Sequence, residues 1–411
     1  MVTRGKKVQQ QLSLEVDIPP QIKKPALYTN ASSLDEAERQ ERLDMLARIP
    51  EEVGTSHLSS TNYHVDRSIR EASLADRDQW REEEETLVFT SSNKLKVYLG
   101  TPKDPLEMSE ALRRIRELGE TTALTSRIVL GIWNIRRANN QLAKNGSVAL
   151  RIEEVLKWRG IKKHSYLAYP HVSDSDKRYT DGYEVKHKEQ VLRDLDLLAA
   201  CCVRGRVTGM FKGKRTNISI NGPYLRYAIV THETLWAEEA IAGVFVAPGD
   251  WINAYTEQDN FFFAEIDCKI FQLHPQNEQH ELRLALYLAE LWRQQGKDGH
   301  YAGKMVMADL LAASMIRVNA KNLTSRFAPR IEEALNNLWN LKIIGAPPVC
   351  LTPVDTTRSH WGKAWLASEW VIIPPPEIQQ YYETTLRPVS IPKRVPPRRA
   401  KREEGDTANM G

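Results

Sequence analysis

Two adjacent tyrosines, Tyr381 and Tyr382, are the first residues whose type suggests bond chemistry, because a phenolate oxygen can attack a phosphodiester. A rolling-circle nuclease would add a metal-binding His-x-His cluster, and none of the ten histidines makes one; His274 and His280 stand six apart. The stretch Arg358-Ser-His-Trp-Gly-Lys363 has the cations and histidine of a tyrosine recombinase, but lacks its H-x-x-R spacing. Gly213-Lys214 is similar to the end of a phosphate loop, G-x-x-x-x-G-K-[ST], yet Thr208 replaces the first glycine and Arg215 the hydroxyl residue. Cys201, Cys202, Cys268 and Cys350 form no C-x-x-C pair. No reaction class remains. The sequence predicts a binding protein, not an enzyme, without cofactor or metal.

Charge points to the partner. The net charge of +4 is unremarkable, but its distribution is uneven. Glu82 to Glu85 is an acidic run, whereas Lys393 to Arg402 holds six basic residues and no acid. Cations concentrated this way release counterions from a phosphate backbone, and so suit duplex nucleic acid; a solubilising end fits the same composition. No segment reaches the ~18 apolar residues of a membrane helix, and the N-terminus lacks a signal-peptide pattern. The expectation is a cytoplasmic, DNA-associated protein without membrane partners.

Those cations must be held by elements. Residues 1 to about 80 are polar, with one amphipathic helix from Leu34 to Ile49 carrying Leu43, Leu46 and Ile49 on one side. Thr86–Thr90 and Leu95–Leu99 flank a polar turn and read as a hairpin, followed by a helix over Pro105–Leu118. Leu124, Ile128, Ile132, Ile135 and Leu142 then recur at helical spacing; further helices are expected over Arg151–Arg159 and Glu184–Cys202. Strands near Val203–Thr208 and Ile218–Val230 enclose a basic turn with Lys212, Lys214 and Arg215. Three helices and a hairpin give the winged-helix order.

The pattern repeats. Val191, Leu195, Leu198, Val203 and Gly205 match Ile331, Leu335, Leu338, Ile343 and Gly345 without a gap (331 − 191 = 140). Leu282–Trp292 answers the first helix of the trio and Met305–Met315 the second, with strands at Val349–Leu351 and Trp365–Ile373. The expected class is therefore α+β: two tandem winged-helix domains with an N-terminal arm and a disordered basic tail. The expected boundaries are an arm over 1–118, a first domain over 119–235, a connecting β segment over 236–275, a second domain over 276–376, and the tail over 377–411.

In such a fold the third helix enters the major groove. With Val191 facing the core, Lys186, Glu189 and Arg193 point outward, and Lys188 suits phosphate. With Ile331 facing the core, Arg326 points outward and Arg330 lies at the edge of that face. Arg326 and Arg330 suit bidentate contact with guanine, with Asn322 and Asn337 as helpers at adenine. Lys212, Lys214 and Arg215 in the first basic loop, and Arg358 and Lys363 in the second, suit the backbone. Lys162 to Tyr179 interleaves cations with aromatics, as backbone binding with stacking requires; an ordered solvent loop fits the same pattern.

The stretches SVALRIEEVLKWRGI, KHKEQVLRDLDLLAACCVRG, the PGDW turn, LRLALYLAELWR and TSRFAPRIEEALNNLWNLKIIG resemble the tandem winged-helix replication initiators of bacterial plasmids. The resemblance covers about Leu124 to Ile373. It implies binding to repeated sites at an origin, opening of adjacent AT-rich DNA, recruitment of host replication proteins, and a homodimer that gives way to a monomer. It assigns Lys186, Lys188 and Arg193 to one reading helix and Arg326 and Arg330 to the other. The arm, the basic tail and the insertion at Lys162–Arg178 depart from the family core. A transcriptional repressor or partition-type DNA binder is the alternative, and nothing in the helices separates them.

Overall fold

The computed structural model describes residues 36–49, 57–61, 64–83, 86–101, 104–167, 178–180, 182–211, 214–234, 237–253, 263–296, 298–357 and 360–386. Helix and sheet are mixed, giving an α+β chain, and it divides into two compact units, Met1–Asn277 and Glu278–Gly411.

The first unit opens with α1 (Glu36–Ala47), β1 (His57–Thr61) and α2 (His64–Ser73). Next come β2 (Trp80–Glu83), β3 (Thr86–Thr90), β4 (Lys96–Thr101), β5 (Asp104–Pro105) and α3 (Met108–Glu117). The described part of the expected arm is packed into this unit. Leu46 and Ile49 are buried against Ala149, Val230 and Phe245, as the amphipathic spacing of α1 requires. Helix α2 is deeper still. Its Asp66 receives Arg127 Nη1 at 2.6 Å and the Tyr224 hydroxyl at 2.7 Å, all three side chains being buried. The indole of Trp251 in the PGDW turn stacks on Tyr224 (5.6 Å, 1°) and donates to its carbonyl. A buried charge of this kind is tolerable only when paired and hydrogen-bonded, so α2 is bound into the core of the unit.

The helical trio follows: α4 (Glu120–Ala138), β6 (Val148–Leu150), α5 (Ile152–Trp158), the paired short strands β7 (Ser165–Leu167) and β8 (Arg178–Thr180), and α6 (Val185–Ala200). Helix α4 stops before Leu142, which is exposed outside it. Then come β9 (Cys201–Phe211), β10 (Lys214–Pro223), β11 (Leu225–Thr234), β12 (Ala237–Pro248), β13 (Phe263–Asp267) and α7 (Cys268–Gln272). The strand expected over Ile218–Val230 is two strands, broken at Tyr224. β9 and β10 join the sheet β10-β9-β4-β3-β2, whereas β11 and β12 form a separate sheet in the order β11-β12-β6. The segment expected to connect two domains therefore supplies β12, the central strand of the first domain's own sheet. β13 pairs back to β1.

The second unit runs α8 (Gln279–Gln295), β14 (Met305–Val306), α9 (Met307–Ala313), α10 (Ala328–Asn340), β15 (Val349–Cys350), α11 (Trp361–Leu366), β16 (Glu369–Val371) and α12 (Pro376–Leu386). Trp365, expected in a strand, sits in α11. The sheet order is β14-β16-β15. Within the trio α4–α6 the strand between the first two helices, β6, pairs with β12, which also pairs with β11; in the second unit β14, between α8 and α9, pairs with β16, which also pairs with β15. Val191, Leu195 and Leu198 are wholly buried, and so are Ile331, Leu335 and Leu338. Val203 and Ile343 are buried as well, but Val203 lies in β9 and Ile343 in no helix or strand, so the local structures part here. Gly205 lies inside β9 at φ +152°, while Gly345 lies in a turn where a Cβ would run into the Pro374 carbonyl. Two glycines at matching positions serve different local needs.

Candidate nucleic-acid interface

In the first unit α6 is seated by an interior carboxylate. Asp194 is fully buried and accepts from Thr125 Oγ1 (2.8 Å), Gln190 Nε2 (2.9 Å) and Thr122 Oγ1 (3.0 Å), with Arg159 Nη1 at 4.0 Å. Burial raises its carboxyl above the ordinary value, while these donors oppose the rise. The opposite face of α6 is open: Lys186, Glu189 and Arg193 are exposed, on the side that helical spacing indicates. Lys186 pairs with Glu184 at 2.6 Å, and that hydrogen bond holds the Glu184 carboxyl below its usual range. Lys188 pairs with Glu153 at 2.7 Å. Arg193 has no ion-pair partner among the described residues.

In the second unit the leading end of α10 is a wide helical turn, Leu323–Phe327, that continues directly into the helix. Phe327 anchors it, edge-on to Trp365 (6.4 Å) and His280 (6.0 Å), and Trp365 Nε1 donates to Glu332. Gly362 of α11 lies against Leu323 and Thr324, so Lys363 sits on the helix packed beside this turn. Arg326, Asn322 and Lys363 are all exposed. Upstream, Arg317, Asn319 and Lys321 are exposed too, and the segment from Arg317 to Arg326 holds three cations and no acid. Arg317 and Lys321 escaped the sequence reading because they precede the helical periodicity on which it relied.

Two expected contacts are engaged elsewhere. Asn337 Nδ2 donates to the buried Glu281 of α8 at 3.1 Å. Arg330 is half-buried, 2.9 Å from Glu333 and 3.8 Å from Glu281. Both side chains thus hold α10 to α8. Lys212 and Arg358 lie outside the described residues, as do 168–177 of the aromatic-basic insertion and the tail from 387. Lys214 and Arg215 belong to β10, in the sheet with β9 and not in the sheet of the helical trio.

Other reactive residues are accounted for by packing. Cys201 and Cys202 are buried, and loss of solvent pushes their thiols up to about 12 and about 11. Tyr382 is buried edge-on to Tyr381 at 5.4 Å, and Tyr381 is exposed. Among the described residues no three His, Cys, Asp or Glu side chains gather as a metal site would require. No described helix is long and apolar enough to cross a membrane.

No protein-family model matches the chain, and no curated protein does. Among solved structures, the crystal structure of selenomethionine derivatives of domains 2 and 3 of RctB aligns with 75% of this chain and 99% of its own. The TM-score is 0.36 at 12% identity, a similarity too slight to assign fold or function.

Proposed function

We propose that the chain is a double-stranded DNA-binding protein whose two units are winged-helix domains. The observation that carries the reading is the twofold occurrence of one arrangement, α4-β6-α5-α6-β11-β12 and α8-β14-α9-α10-β15-β16, in which the first strand pairs with the last and β7–β10 or α11 are insertions. In each unit the inner face of the third helix is buried, and a cation equivalent in sequence, Lys186 or Arg326, stands exposed at its leading end. That end reads base edges in helix-turn-helix proteins. Arg326, exposed and unpaired among the described residues, is the base-reading residue; Lys186, Lys188, Arg193 and Lys363 bind backbone. By the sequence resemblance the biological role is replication initiation at repeated origin sites, with a homodimeric form and recruitment of host replication proteins.

Selection from a randomised duplex pool tests the binding. The full chain should enrich a defined motif, and Arg326→Ala should lose about 1–3 kcal/mol of preference at one position. An unaltered motif would remove Arg326 from the reading surface, and no enrichment by the wild type would end the sequence-specific reading. A plasmid carrying this gene and its flanking DNA replicates if the protein is an initiator; if it fails while the motif is still selected, the repressor alternative stands.

A further inference from the structure

The wing in the first unit is not where the positive charge lies. By sheet order the wing strands are β11 and β12, whose residues 225–248 contain Glu233, Glu238 and Glu239 against one cation, Arg226. The β9–β10 hairpin, residues 201–223, occurs between α6 and those strands and has no counterpart between α10 and β15. It holds Arg204, Arg206, Lys212, Lys214 and Arg215 and no Asp or Glu.

Its two faces differ as the two-residue strand period demands. Val203, Val207 and Ile220 are buried on one side. The opposite side begins under cover, where Cys202 packs with Val88 and Tyr98, and then opens. Along β9 it presents Arg204, Arg206 and Thr208; along β10, directly across, Asn221, Ser219 and Asn217. All six are exposed. Thr208 Oγ1 and Asn217 Oδ1 close the cross-strand pair at 2.9 Å, and the Arg204 guanidinium lies 5.9 Å from the Tyr98 ring. Neither arginine has an ion-pair partner among the described residues. Lys96, the β4 neighbour of Arg204, is neutralised by Glu83. A two-stranded ribbon fits a DNA groove, and a face of cations, hydroxyls and amides matches a phosphate backbone in charge and hydrogen-bonding type.

We infer that the open face of the β9–β10 ribbon is a second duplex-DNA contact, in which Arg204 and Arg206 neutralise phosphates in place of an acidic wing. This rests on the DNA-binding reading above and adds a sequence-independent clamp to it.

The test is fluorescence anisotropy of the full-length protein on a 30-base-pair mixed-sequence duplex across a salt series. Removing two phosphate contacts with Arg204→Ala/Arg206→Ala should weaken binding by at least about tenfold and lower the log–log salt slope by about 1.8. Arg204→Lys/Arg206→Lys should restore most of both. A single added charge, Ser219→Asp, should weaken binding in the same direction without touching either arginine. Wild-type affinity and slope in the alanine and aspartate variants would overturn the ribbon contact while leaving helix-mediated binding intact. A wild-type protein that binds no duplex at any salt would overturn both.

Discussion

At the residue scale, similar side chains on one helix have been committed to different tasks. Arg326 and Arg330 are four apart and chemically identical, yet Arg326 is exposed and Arg330 is drawn toward Glu333 and the buried Glu281. Asp194 is the sharper case, since its carboxylate was indistinguishable from a surface acid until α4 and α5 closed over it. Removing it in Asp194→Ala strands the Thr122, Thr125 and Gln190 donors and should cost about 3 kcal/mol, measured by urea unfolding. The pH dependence has a defined sign. Below pH 3.8, the ordinary value, the group is protonated folded and unfolded alike. Above it the unfolded chain ionises while the folded chain keeps the proton, so stability falls until the raised folded value is passed. Asp194→Asn cannot titrate. Its stability relative to the wild type should therefore climb as pH rises above 3.8 and level off beyond the folded value. A difference that is flat with pH would mean that folding does not raise the Asp194 carboxyl.

At the element scale, connectivity and sheet membership proved separable. β9 follows α6 without a break, which from sequence made it the first wing strand; pairing with β4 removed it to another sheet. β4 lies far from β9 in the chain, and the local periodicity of β9 contains no information about that partner. The same holds for α1. Its apolar stripe could be read, but not the surface that it covers, which proved to be the β6-β12-β11 sheet through Leu46 and Ile49. Leu46→Ala should cost about 3 kcal/mol in thermal unfolding, as for other large-to-small changes in a core. A loss below about 1 kcal/mol would show that α1 is not docked there.

At the scale of the whole molecule, the chain is two compact units, divided at Asn277. Units that are each compact can unfold separately, so calorimetry of the full chain should give two transitions. Gly345→Ala drives a Cβ into the Pro374 carbonyl and should lower the second unit's transition, by about 3 kcal/mol, while leaving the first in place. A single cooperative transition that moves as one would contradict the division. DNA should raise both transitions if both units bind it, by mass action.

The apolar stripes of α4, α6, α8 and α10 were legible in the residues because each depends on neighbours within a turn or two, whereas α2, α7, α11 and α12 were not read from the sequence. Exposure of Lys186, Arg193 and Arg326 followed from the same periodicity. The β3–β4 hairpin was legible too, but partnership between strands distant in the chain was not, nor the burial of Asp66 and Asp194, nor the capture of Asn337 by Glu281. Those depend on which distant segments meet, and hydrogen bonding and desolvation are decided only when they do. The location of the ribbon's open face belongs to that second group: composition marked its charge, and tertiary pairing chose the side left to solvent.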